Sequence, residues 1–199
     1  MTLTIPLLRL RLGAAVAMCA LPLAALAHPG ALGEHLARSH GFADGFVHPF
    51  TGIDHLGAML AVGVWGAGTP RHAWIAPAAF VGCLLAGALA ASGGLAVPGA
   101  EAMIAASLLV IGLLLAARAV IAPVAAAAIV GGFAFFHGAS HGAELGAGAV
   151  LAGMVLATVL LHAAGIAIGF ATHGRSACWT RASGAGLAAF GLALLGATA

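Results

Sequence analysis

Residues 147–171 read AGAVLAGMVLATVLLHAAGIAIGFA. The run holds no charged residue, and Thr158 and His162 are its only side chains with a strongly polar group. About 20 consecutive apolar residues let a helix cross the hydrocarbon core of a bilayer, so this stretch reads as a transmembrane helix. Comparable runs recur on either side, near 46–67, 71–92, 99–117, 120–141 and 179–198. Gly- and Pro-marked breaks such as Gly68-Thr69-Pro70-Arg71 separate them. The expected fold is therefore an all-α membrane protein, a bundle of about six transmembrane helices within residues 28–199.

Composition agrees with that reading. Hydrophobic residues make up 63% of the 199, charged residues 6%, and mean hydropathy is +1.14. A soluble domain carries about 25% charged residues, so the expected partner is the lipid bilayer. Nucleic acid is excluded as a partner, because no Lys/Arg cluster exists to neutralise phosphates. A disordered chain is excluded by the high hydrophobicity.

Ahead of the spans, Arg9 and Arg11 precede the apolar stretch Leu12 to Leu26, and Ala25-Leu26-Ala27 stands before His28-Pro29. This is the pattern of a signal peptide, residues 1–27, whose cleavage leaves the mature N-terminus outside the cytoplasm; the alternative is an uncleaved first transmembrane helix, for which the apolar stretch is short. The first, third and fifth loops are then cytoplasmic and hold Arg71, Arg118, Arg175 and Arg181, against Arg38 alone outside. That bias fits a multi-pass protein of the bacterial inner membrane with both termini outside. Cys19 leaves with the signal, and Cys83 and Cys178 suggest neither a disulfide nor a thiolate metal site.

Ten His stand against five acidic residues, and ionisable groups within spans are costly enough to mark function. One group is His48-Pro49-Phe50-Thr51-Gly52-Ile53-Asp54-His55, where Pro49 and Gly52 discourage a regular helix. His48, Asp54 and His55 form an N/O ligand set suited to Ni, Co, Zn or Cu. Taken alone, they serve equally as a helix N-terminus capped by Asp54 with interfacial imidazoles. A second group lies in Phe135-Phe136-His137-Gly138-Ala139-Ser140-His141-Gly142-Ala143-Glu144. His137, His141 and Glu144 fall at i, i+4 and i+7, one stripe of a helix. A hydrogen-bonded core histidine explains one such residue but not the stripe.

The two groups align without gaps at an offset of 89, pairing His48 with His137, Thr51 with Ser140 and His55 with Glu144. Such a repeat of three spans would make the halves inverted, with the site between them. His162 stands alone in its span, as a secondary pathway position or a hydrogen-bonded core residue. Glu101 opens a span, where a helix N-terminus tolerates a carboxylate. In the His-rich lead-in, 28–45, His28, Glu34, His35 and His40 offer either outer metal capture or a solvated amphipathic stretch.

On these residues the chain resembles the HupE/UreJ family of bacterial membrane proteins linked to nickel uptake for hydrogenase and urease. His48-Pro49-x-x-Gly52-x-Asp54-His55 and Phe136-His137-Gly138-x-x-His141-Gly142-x-Glu144 look like its two signatures. The resemblance covers the signal peptide, the six spans and both motifs. It implies a non-enzymatic secondary transporter that moves Ni2+, or Co2+, into the cytoplasm as cargo, with no permanent cofactor. No P-loop is present to supply energy from nucleotide. A metal-dependent intramembrane enzyme fits less well, since His137-Gly138-Ala139-Ser140-His141 lacks the Glu of His-Glu-x-x-His. A membrane metal-binding accessory or sensor that does not transport is the remaining alternative.

Overall fold

The computed structural model describes residues 41–172 and 177–198. Within these residues all regular structure is helical: α1 (Phe42–Thr51), α2 (Ile53–Gly66), α3 (Ile75–Ser92), α4 (Ala100–Ala117), α5 (Pro123–Leu145), α6 (Ala149–Thr172) and α7 (Ala177–Thr198). A 3-10 turn, Pro70–His72, leads into α3. The signal peptide and the possible capture residues His28, Glu34, His35 and His40 lie outside the described residues.

The first expected span, 46–67, is two helices end to end. Asp44 starts α1 by accepting the Gly41 N–H at 2.9 Å. Pro49 sits inside α1 without an N–H to donate, and Thr51 turns its hydroxyl back to the His48 carbonyl. Gly52 is extended (φ −94°, ψ 118°), so the chain leaves helical geometry there and re-enters at Ile53. Elsewhere the helices end on ordinary signals. Pro123 occupies the first turn of α5, and Gly146, at φ 75°, terminates it. Helix α5 therefore runs past the expected boundary near 141 and carries Glu144 within its last turn. Arg118 closes α4 in the left-handed region (φ 51°), a position usually given to Gly.

Among the described residues, four helical segments are long and apolar enough to cross a membrane: Pro70–Ser92, Ala100–Ala117, Pro123–Leu145 and Ala149–Thr172. Helix α2 is apolar but shorter. Helix α7 has the length, 22 residues, yet is diluted by Thr180, Arg181, Ser183 and several Gly. Large apolar side chains such as Leu113, Val124, Leu160 and Phe170 are exposed on the flanks of the bundle, the arrangement expected where the surroundings are hydrocarbon.

Helices associate in three main pairs: α1 and α2 with α6, α3 with α5, and α4 with α7. Small residues bring the backbones together. A Cβ on Gly138 would strike the Leu84 carbonyl, and one on Gly87 the Phe135 carbonyl. The α1–α6 contact repeats this: a Cβ on Gly45 would strike the Val150 carbonyl, and one on Gly153 the Phe42 carbonyl. These glycine contacts correspond one to one when 93 is added to the numbers in α1 and 66 is subtracted from those in α6. Gly45-x-x-His48 therefore matches Gly138-x-x-His141 in packing, one helical turn away from the expected pairing of His48 with His137.

Candidate metal centre

The break at Gly52 and the α3–α5 crossing together deliver imidazoles to one place. His48, His141 and Glu144 offer ligand atoms that all lie within 4.8 Å of one another. Three ligands held at tetrahedral angles by bonds near 2.1 Å stand about 3.4 Å apart, so an ion would draw this set together by at most about 1.4 Å. His141 is buried, His48 half-buried and Glu144 exposed. The set is thus open on its carboxylate side and closed on its imidazole side.

Behind it the rings continue inward. The His55 ring lies 4.5 Å from that of His141 and 5.3 Å from that of His137, centroid to centroid. His137 in turn packs against Phe80 at 5.6 Å, and Phe80 against His162 at 4.9 Å. His137 and His162 are fully buried.

Hydrogen bonds fix which nitrogen of each inner ring keeps its lone pair. His55 donates Nδ1–H to Asp54 Oδ1 at 2.9 Å, leaving Nε2 with the lone pair. Asp54 therefore orients an imidazole, as carboxylates do behind metal-bound histidines. The Ser107 hydroxyl has one proton, and the Ile104 carbonyl takes it at 2.6 Å. Toward His137, at 3.0 Å, that oxygen must accept, so Nε2–H donates and Nδ1 keeps the lone pair. His162 donates Nδ1–H to the Thr158 carbonyl at 2.7 Å, so its Nε2 keeps the lone pair. His55 Nε2, His137 Nδ1 and His162 Nε2 are buried with no hydrogen-bond partner. Leaving such an atom unsatisfied costs about 1–3 kcal/mol, and a metal ion would satisfy it.

Gly52 protects the orienting pair. A Cβ there would lie 2.6 Å from Asp54 Oδ1 and 3.1 Å from His55 Nδ1. The space is needed by the site itself.

All six motif residues gather at one end of the bundle, but not as one equivalent shell. His48, His141 and Glu144 form the outer set, His55 and His137 stand behind it, and Asp54 turns toward His55. Three contributors escape the sequence motifs. Ser107 on α4 and Phe80 on α3 touch His137, and Glu101 shares a cavity of about 450 Å³ with Ser140 and Glu144. In the sequence Glu101 read as a carboxylate at a helix N-terminus and not as part of the site; Ser107 and Phe80 carried no signal.

A family model described as HupE / UreJ protein matches residues 16–194. The chain belongs to the HupE/UreJ family. Protein HupE of Rhizobium leguminosarum bv. viciae is 37% identical over 180 residues, covering 87% of this chain and 94% of the relative. No solved structure matches. The match takes in both histidine segments, helices α1 to α6, and α7 as far as Leu194.

Proposed function

We propose that this member of the HupE/UreJ family is a secondary transporter that carries nickel, and with it cobalt, into the bacterial cytoplasm for metalloenzyme maturation. The observation that carries this reading is the outer set of His48, His141 and Glu144, continued into the bundle by His55 and His137. A neutral imidazole and carboxylate set suits borderline divalent cations. A cation held by few ligands and faced by others further in is bound loosely enough to move on.

In this reading six spans cross the membrane, the first being α1 and α2 end to end and the last α7. Both termini lie outside, which places the histidine end at the outer surface and the arginine end at the cytoplasm. The three helix pairs are unchanged when spans one to three are exchanged with four to six, which favours two inverted halves. Chemistry on a substrate other than metal transfer is not part of the reading.

The test is uptake of radioactive nickel in cells with and without the protein, competed by cobalt and zinc. Uptake that rises with the protein and falls with excess cobalt supports it. Unchanged uptake by a protein that still binds nickel would favour the accessory or sensor role. The lead-in fits a capture role: replacing His35 and His40 with Ala should raise the half-saturating nickel concentration and spare the maximal rate. An unaltered saturation curve would assign the lead-in no part in capture.

A further inference from the structure

We infer that His162, with the Thr158 hydroxyl oxygen one helical turn before it, is an inner binding station for the divalent cation, separate from the outer histidine set. The inference rests on the metal-handling reading of the outer site and extends it along the bundle.

Four observations converge on it. His162 and Thr158 are both completely buried, one helical turn apart on one face of α6. The Nδ1–H of His162 is committed to the Thr158 carbonyl, so its orphaned Nε2 presents a lone pair and no proton. The Thr158 hydroxyl gives its proton to the Met154 carbonyl at 2.8 Å, so its oxygen can only accept or ligate. Third, the His162 backbone lies against Gly63 of α2, eight residues beyond His55, or about 12 Å along the helix. That is too far for one ion to bridge both imidazoles. Fourth, helical side chains lean toward the helix N-terminus, here toward the outer set, and the Phe80 ring packs against both His137 and His162. A purely structural histidine would use both ring nitrogens. This one keeps a ligand atom in reserve, in a place where one nitrogen and one oxygen bind weakly enough to release.

The test uses the full-length protein in detergent, titrated with cobalt(II) and followed by its visible absorption, alongside nickel uptake in cells. The parent should show a tight phase and a weaker one. In His162→Gln the weaker phase should vanish while the tight phase stays within about twofold, and maximal uptake should fall about tenfold or more. His162→Cys should restore the weaker phase with a thiolate-to-cobalt charge-transfer band that the parent lacks. A merely structural role would not create that band. If His162→Gln keeps both phases, or His162→Cys binds without the new band, the inner station is wrong whatever the uptake result. If the variants bind cobalt as expected but the parent moves no nickel, the station stands and the transport reading falls.

Discussion

The two ends of the bundle differ in kind. At one end stand the four carboxylates of the described residues, Asp44, Asp54, Glu101 and Glu144, with the four clustered imidazoles. At the other stand its three arginines, Arg71, Arg118 and Arg181. A cavity of about 470 Å³ opens there, lined by Arg118, Arg181, Trp65 and Thr172 among others. The Trp65 indole N–H ties this end together by donating to the Ala119 carbonyl at 2.8 Å. One end attracts cations and can ligate them. The other repels them and presents no cluster of ligands among the described residues. In the transport reading proposed above, binding and orientation are separate tasks: imidazoles and carboxylates at the first end would hold the ion, while arginines at the second would set the protein's direction in the bilayer.

The sharpest way to break this contrast is to remove ligands. His55→Ala, Asp54→Asn and His137→Ala should each abolish most nickel uptake at normal membrane abundance, with metal affinity falling about 10- to 100-fold. Arg118→Ala and Arg181→Ala should leave affinity unchanged. Equal losses at both ends, measured by uptake and by titration of purified protein, would erase the distinction.

Next in size is Gly52→Ala. The added methyl collides with the Asp54–His55 hydrogen bond and not with backbone, so the protein should fold and bind metal about tenfold more weakly. Retained affinity in a binding titration would show that Asp54 does not orient His55.

Ser107→Ala should follow. It leaves the buried His137 Nε2–H without an acceptor, at about 1–3 kcal/mol, and frees the ring to reverse its tautomer. Affinity should drop several-fold while Ser107→Thr, which keeps the hydroxyl, holds most of it.

The smallest effect belongs to the arginine end. Arg118→Gly relieves a left-handed residue at the end of α4 and should raise stability by less than about 1 kcal/mol, read as a small increase in Tm with uptake unchanged.

Much of this was legible in the sequence, because periodicity and punctuation are local. The stripe of His137, His141 and Glu144 follows from 3.6 residues per turn, and the broken first span from Pro49 and Gly52. What stayed hidden depends on how helices meet. Ser107 reaches His137 only because α4 packs beside α5, and no spacing within either helix encodes that. Asp54 resembles a ligand beside His55, whereas folding turns it into that ring's hydrogen-bond acceptor. The offset of 89 rested on matching identities. The offset of 93 rests on where backbones touch, and glycines that allow close approach are too common in this chain to announce which of them do so.

The Trp65 indole has a consequence for observation. It is 8% exposed, whereas Trp74 is 51% and Trp179 75% exposed. A water-soluble quencher should therefore silence the emission of the latter two wherever they meet solvent and leave a protected fraction belonging to Trp65. That fraction is a native optical sensor placed far from the imidazoles. If nickel added at the histidine end changes its colour or lifetime, the distant end has loosened its grip on Ala119, and the molecule reports its own opening without a label.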